Sequence, residues 1–364
     1  MEKDRKKVYK VVMNDCSFGI IVDSKTTKSL IHKEYNYVFG KSDGFFARFG
    51  ETKESDGNLK LGLPEILDIE ISTVCSGVNN KVCSFCYKAN SPKGEYMTFD
   101  TFKQIIDKMQ RTLTQVAFGI GDIEANPDMW RMFEYCREIG IIPNLTVNGE
   151  GITDEIADKL TSILGACAVS LYDIDKTYGT VKKLTDRGLN QTNIHAFLSE
   201  ETYDKCMKLM QDTKTDERLK NLNAVVFLSL KKKGRAENGF TQLAQEKFNT
   251  LVEYAFTNEV RIGFDSCSSF KFYNSILNKT NFNEIWSSVE PCEACLYSSY
   301  VDVKGDYYPC SFSADAHEDW KEGINVINSE TFLSGVWYSE KVEKWRNTFI
   351  NNRDAKIACP FYEI

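Results

Sequence analysis

A chain of 364 residues can bury a substantial core and exceeds the usual single-domain size, so one large domain with appendages is the expectation. Its 42% hydrophobic and 27% charged residues describe an ordinary soluble protein, and a net charge of −7 with a pI near 5.3 argues against a general nucleic-acid or membrane-surface binder. No apolar run approaches bilayer-spanning length, and the charged start at residues 1–7 leads into no signal-peptide core, so the expected compartment is the cytosol.

Residues 1–65 read as a separate small element. Strand-like runs at 9–13 and 18–22 bracket Asn14-Asp15, and runs at 35–39 and 45–49 bracket the turn residues 40–44, which predicts two β-hairpins. A polar stretch, 51–60, then leads to Pro64. Such an extension suits a lid or a substrate-docking module, and equally an edge that covers the end of a sheet.

From 66 to 266 the pattern alternates without a break. Strand-like runs fall at 66–73, 115–120, 143–147, 166–171, 193–198, 223–230 and 260–264, with helical periodicities at 98–111, 127–139, 154–164, 176–187, 201–211 and 242–256. Asp100, Asp128 and Thr153 lie in or just before first helical turns, where their oxygens can satisfy free backbone donors. Seven strands with six intervening helices imply parallel βα units, as an open doubly wound sheet or a barrel. Ligands of such folds sit beyond the carboxyl ends of the strands, so the strand-end residues are the functional candidates.

The first strand ends in a loop that presents Cys75, Cys83 and Cys86 within twelve residues. A closed zinc site or an electron-transfer cluster wants four protein ligands, so three thiols suggest a metal centre with one position open. Plain reduced thiols, or half of a zinc site completed elsewhere, are the alternatives. The second strand ends Phe118-Gly119-Ile120-Gly121-Asp122-Ile123-Glu124, the third Thr146-Val147-Asn148-Gly149, and the fourth Ser170-Leu171-Tyr172-Asp173. The fifth contains His195, which reads as a satisfied core residue, and ends near Ser199; the sixth runs into Lys231-Lys232-Lys233-Gly234-Arg235-Ala236.

Twelve cysteines in a reducing compartment need a reason other than disulfides. Cys16, Cys136, Cys167 and Cys206 are scattered and read as small hydrophobes. The rest beyond the first loop form a late group: Cys267, Cys292, Cys295, Cys310 and Cys359. Cys295 is followed after nine residues by Gly305 and, four residues later, by Cys310; the run 300–303 before that glycine predicts the first strand of a hairpin. A Cys-x2-Cys pair such as Cys292 and Cys295 suits zinc as well as iron and sulfide.

The three-cysteine loop resembles that of the radical S-adenosylmethionine (SAM) superfamily, with Phe85 and Tyr87 at the family's aromatic positions. Seven residues separate Cys75 from Cys83 where the family has three, and Gly77 with Asn79-Asn80 can turn the chain, so the extra residues read as a bulge. The segment 118–127 resembles the family's Gly-Gly-Glu-Pro, with Asp122 where Glu is usual, so that either the backbone moves closer or Glu124 takes the role. Asn148 resembles the asparagine of its Thr-Asn-Gly, Ser170 the serine of its Ser-x-Asp turn, and Arg235 the arginine of its Gly-Arg-Ala. The spacing Cys295, Gly305, Cys310 resembles the opening of SPASM and Twitch auxiliary-cluster domains.

What the resemblance implies is a partial (β/α)6 TIM-like barrel at 66–266, with an N-terminal β-hairpin extension at 1–65 and a small C-terminal auxiliary-cluster domain at 267–364. Cys75, Cys83 and Cys86 would hold three irons of a 4Fe-4S cluster, and SAM would chelate the fourth. Gly119, Gly121, Asp122, Asn148, Ser170, Arg235 and Tyr87 would bind SAM. One auxiliary cluster, most simply 4Fe-4S, would use Cys267, Cys292, Cys295 and Cys310, with Cys359 as the substitute; zinc is the rival. The activity implied is one-electron cleavage of SAM to methionine and a 5′-deoxyadenosyl radical, then abstraction of a hydrogen atom from a peptide or protein side chain. A nucleotide or cofactor precursor is the alternative substrate, and a non-catalytic iron–sulfur sensor or electron carrier the alternative class. A reducing flavodoxin or ferredoxin would be the redox partner.

Overall fold

The computed structural model describes residues 6–52, 61–109, 111–287, 289, 292–351, 359, 361, 362 and 364. Residues 53–60 of the polar stretch lie outside that set. All seven expected parallel strands and their six helices are present. In chain order they are β6 (Ile66–Glu70), α1 (Phe99–Met109), β7 (Gln115–Gly119), α2 (Met129–Glu138), β8 (Ile142–Val147), α3 (Asp154–Ile163), β9 (Ala166–Ser170), α4 (Ile174–Asp186), β10 (Thr192–Leu198), α5 (Tyr203–Thr215), β11 (Ala224–Ser229), α6 (Gln245–Thr257) and β12 (Ile262–Phe264). The strands pair in sequence order, each parallel to the next, and the sheet stays open at β12, as in a partial barrel.

The two-residue period of the strands decides what faces inward. Leu67 and Ile69 of β6, and Ile194, Ala196 and Leu198 of β10, are buried against the helical layer, as Phe118 of β7 is between Phe102 of α1 and Phe133 of α2. The alternate residues, Asp68 of β6, Ala117 of β7, Thr146 of β8, Asn193 and His195 of β10, are small or polar and only half-buried, so the lumen is left open rather than packed. Asp173 and Thr153 cap α4 and α3 as oxygen acceptors. Asp128 stands at the N-cap of α2, but its carboxylate accepts from Phe99 N of the neighbouring α1 at 3.0 Å.

Residues 7–49 form more than two hairpins. They are a five-stranded antiparallel meander, β1 (Lys7–Val12), β2 (Phe18–Asp23), β3 (Thr27–Ile31), β4 (Asn36–Gly40) and β5 (Phe46–Phe49). The strand missing from the expectation, β3, carries Lys28 on its inner face, a residue type that hides a strand pattern. Lys28 is fully buried, donates to Leu113 O at 2.5 Å and faces Asp23 at 3.7 Å. With Tyr37, whose hydroxyl donates to Thr112 O at 3.3 Å, it fastens the meander to the α1–β7 connection.

After β12 come two short helices, α7 (Ser269–Ile276) and α8 (Phe282–Ser287), then β13 (Ser298–Val301), β14 (Asp306–Tyr308), β15 (Ile324–Asn325) and α9 (Glu340–Asn351). The expected hairpin is β13 with β14. Its other edge holds a feature the pattern does not announce: β13 pairs in parallel with β6, so one ten-stranded sheet runs from the barrel into the C-terminal segment. Among the described residues no helix is long and apolar enough to cross a membrane.

Candidate functional site

The loop after β6 brings Cys75, Cys83 and Cys86 into mutual range. Burial pushes the Cys83 thiol up to about 11, with Cys86 and then Cys75 adding to it, and burial raises Cys75 as well. Neighbouring thiols disfavour one another's ionisation, and a bound metal would reverse that balance and deprotonate them. Among the described residues no group of three or more histidine, cysteine or acidic side chains stands gathered closely enough to hold a metal ion.

The long Cys75–Cys83 spacing has a structural use. Gly77 at φ +79°, Asn79 at +53° and Asn80 at +56° make a tight turn closed by Val78 and Lys81. A Cβ on Gly77 would lie 1.9 Å from Lys81 O. The turn reaches the ends of the third and fourth barrel strands, with Asn79 N donating to Glu150 Oε2 at 2.9 Å and Asn79 Nδ2 to Asp173 Oδ2 at 3.4 Å. It walls a cavity of about 260 Å³ that Cys83, Phe85, Tyr172, Phe197 and Lys205 also line.

Two of the expected SAM-binding residues stand against this loop. Gly121 must be glycine, because a Cβ there would meet Val74 O at 1.9 Å and Cys75 Cβ at 2.6 Å, whereas a Cβ on Gly119 would meet nothing closer than 3.5 Å. Asp122 accepts from Ser76 N at 2.7 Å through Oδ2, while its Oδ1 is buried without a hydrogen-bond partner. That carboxylate lies against the Cys75 thiol, whose ionisation it disfavours. Glu124, the alternative acid, instead accepts from Trp130 Nε1 at 2.7 Å.

The other expected residues divide. Asn148 is buried and its Oδ1 accepts from Glu150 N at 2.9 Å; Ser170 is buried, and its hydroxyl meets the Tyr172 phenol, which lies near all three thiols. Arg235 is spent on the loop itself, through Nε to Cys83 O at 2.8 Å and Nη2 to Asn90 O at 3.0 Å. Before it, Gly234 at φ +59° has no room for a Cβ, which would lie 2.4 Å from Tyr87 O. The Tyr87 ring stacks on Phe312 at 4.1 Å, joining the loop to the C-terminal segment. Sequence reasoning passed over Tyr172 and the set Glu70, Lys88 and Tyr300, where Lys88 pairs with Glu70 at 3.2 Å and Tyr300 donates to it at 3.1 Å. The inward alternation of β6 was the signal for Glu70.

His195, read from the sequence as core, lies on the inward face of β10 in register with Ser170. Desolvation lowers it to about 4, with Asp265 opposing, so the imidazole is neutral at pH 7. Lys231 pairs with Asp265, and Lys233 donates to Phe312 O at 3.2 Å and Ala314 O at 2.6 Å, so two lysines of the basic run after β11 are used within the fold while Lys232 is exposed.

Asp68, inward on β6, is raised to about 6 by desolvation. A folded-state value above the unfolded value of about 4 means stability is full below pH 4 and is lost as pH rises through 6. Asp68→Asn is therefore expected to raise Tm by a few degrees at pH 8, corresponding to about 2–3 kcal/mol, and to make no difference at pH 4, as measured by differential scanning calorimetry.

The late cysteines neighbour one another, Cys310 with Cys267, Cys292 and Cys295. Cys267 shares a hydrogen bond with Cys359, and the thiol of Cys292 is raised by burial and by Cys267 and Cys310. Cys295 instead turns to the Tyr307 hydroxyl at 3.4 Å, with its own carbonyl held by Arg346 Nε at 2.8 Å.

No protein-family model and no curated protein sequence matches the chain. Among solved structures, SuiB of Streptococcus suis bound to the precursor peptide SuiA is similar with a TM-score of 0.67 at 13% identity, over 90% of each chain. SuiB bound to S-adenosylmethionine gives 0.64 at 14% identity, over 87% of this chain and 88% of that one. Native anSMEcpe with bound AdoMet and a Cp18Cys peptide gives 0.55 at 16% identity, over 78% and 82%. The likeness covers 78–90% of the chain at 13–16% identity and shows its fold: an open, largely parallel partial barrel that continues into a C-terminal segment, as in those structures.

Proposed function

We propose that the chain is an enzyme that binds SAM over the loop of Cys75, Cys83 and Cys86, cleaves it reductively, and takes a hydrogen atom from a peptide or protein side chain. The observation that carries the reading is the Asp122 carboxylate, with Oδ1 buried, Oδ2 holding Ser76 N of the cysteine loop, and the Cys75 thiol beside it. A 4Fe-4S cluster on those thiols would supply the electron for the cleavage. Asp122 accepts the amino group of SAM, Gly121 lets the backbone come close enough for it, and Ser170 with Tyr172 offers hydroxyls on the far side of the cavity. Asn148 and Glu150 hold the inserted turn in place, and Arg235 fixes the carbonyls of the cysteine loop. Phe85, stacked on Phe197 at 4.8 Å, keeps water from one wall of the site.

A peptide substrate is supported by the bound peptides of SuiB and anSMEcpe. Cys267, Cys292, Cys310 and Cys359 would hold an auxiliary iron–sulfur centre, and a reduced flavodoxin or ferredoxin would deliver electrons. The test is anaerobic incubation of reconstituted protein with SAM and dithionite, reading methionine and 5′-deoxyadenosine by mass spectrometry. Both products are expected, and a chain with intact iron and sulfide that releases neither would overturn the proposal. Asp122→Asn is expected to weaken SAM binding by about tenfold to a hundredfold in anaerobic calorimetry while iron content stays unchanged, because it removes a charge-assisted acceptor while all three thiols remain, with Cys75 relieved of a neighbouring negative charge.

A further inference from the structure

The barrel lumen holds a carboxylate that the fold does not use. Asp68 points inward from β6, in register with Ala117 of β7 on one side and Tyr300 of β13 on the other. Among the described residues its side chain accepts no hydrogen bond and pairs with no cation. The lysines around Glu70 and the strand ends are engaged elsewhere: Lys88 pairs with Glu70 at 3.2 Å, Lys231 with Asp265, and Lys233 donates to the carbonyls of Phe312 and Ala314. The Tyr300 hydroxyl is likewise given to Glu70, at 3.1 Å. Burial alone acts on Asp68 and lifts it to about 6, so at pH 7 it stands mostly ionised, at a cost in stability that no partner offsets.

The residues around Asp68 leave a way in. Gly119 lies beside Glu70, Ala168 beside Thr146 and Ala224 beside Asn193, so small side chains line an inner face that a packed barrel would fill with branched ones. A Cβ added at Gly119 would still meet nothing closer than 3.5 Å. Asp68 lies two residues before Glu70, the last residue of β6, and at about 3.3 Å per residue that is about 7 Å below the strand end. Such a depth suits a long side chain entering from the end of the cysteine loop, not a backbone segment. The chemistry of the occupant follows from the donor set. A divalent metal ion asks for several oxygen ligands, and among the described residues no three acidic, histidine or cysteine side chains are gathered to supply them. An ammonium or guanidinium head is served by one carboxylate.

We propose that Asp68 sets substrate specificity by pairing with the cationic head of a lysine or arginine side chain that the peptide substrate extends down the lumen. This rests on the reading of the substrate as a peptide, and adds which side chain that peptide presents. Pairing offsets the cost of the buried charge, whereas a neutral side chain of the same length leaves it uncompensated.

The probes are N-trifluoroacetyl pentapeptide amides, Gly-Gly-X-Gly-Gly with X lysine, arginine, norleucine or glutamate, together with n-butylammonium chloride. They are titrated at neutral pH into the full-length, anaerobically reconstituted protein with SAM and no reductant, and binding is read by ligand-observed NMR, on fluorine for the peptides. The lysine or the arginine peptide is expected to bind at least tenfold tighter than the norleucine and glutamate peptides. Asp68→Asn should bring the cationic peptides down to the norleucine level, with circular dichroism, iron content and SAM affinity unchanged. Glu138→Gln, which removes an exposed carboxylate on α2, should leave the preference intact and so separates a lumen contact from attraction to an acidic surface. Cationic and norleucine peptides that bind alike, or a preference that survives Asp68→Asn, would overturn this proposal and leave SAM cleavage and a peptide substrate standing. Binding of n-butylammonium through Asp68 with no binding of any peptide would overturn the peptide reading and this proposal with it.

Discussion

Cys83→Ala is expected to lose roughly four iron and four sulfide per chain and to lower release of 5′-deoxyadenosine by at least about a hundredfold. The reason is the position of Cys83 rather than its bulk. Its thiol faces Cys75 and Cys86 and lines the cavity under the inserted turn, while its carbonyl is held by Arg235 at 2.8 Å, so the loop keeps its shape when the sulfur is gone. Anaerobic iron and sulfide analysis beside the product assay separates the outcomes. A variant that keeps all its metal and all its activity would remove Cys83 from the site, and one that loses activity with its metal intact would give it another role. Cys206→Ala is the matched control: that thiol lines the same cavity but donates to Phe197 O at 3.5 Å, and its replacement should leave metal and product unchanged.

The barrel was legible in the sequence because each of its strands and helices has its own period and its own buried face, and neighbours in the chain are neighbours in the sheet. The three cysteines and Asp122 could be found for a related reason: βα units put chemistry at strand ends, so a short list of positions had to be inspected. What the sequence hid depends on partners far away in the chain. β3 was lost because Lys28, a residue expected at the surface, is buried by Leu113 O and Asp23. The parallel pairing of β13 with β6 joins segments more than two hundred residues apart, and four residues of strand carry no sign of which edge they will meet. Arg235 was legible as a residue of interest but not in its partner, because its guanidinium meets backbone carbonyls, which no side-chain pattern encodes. The extra residues between Cys75 and Cys83 were recognisable as a turn from Gly77, Asn79 and Asn80; that the turn docks on Glu150 and Asp173 was not.

Among the late cysteines, replacing Cys267 or Cys359 with serine is expected to halve the iron of the reconstituted protein from about eight to about four per chain, and Cys295→Ser to leave it near eight. Proximity in sequence favours Cys295, which is separated from Cys292 by only two residues on the same loop. The fold works against it. Cys295 is held at φ +60° with its carbonyl fixed by the buried Arg346, and its sulfur already has a partner in the Tyr307 hydroxyl, which is itself enclosed. Turning that sulfur toward Cys267 would strand a buried phenol, a cost of about 1–3 kcal/mol, whereas Cys359 already shares a hydrogen bond with Cys267. Serine at position 295 keeps a hydroxyl for Tyr307, so the variant should fold and test ligation alone. Elemental analysis after anaerobic reconstitution decides the matter: loss of iron in Cys295→Ser with retention in Cys359→Ser would return the fourth ligand to the Cys-x2-Cys pair, and one zinc per chain in place of the second four irons would make the late group a zinc site.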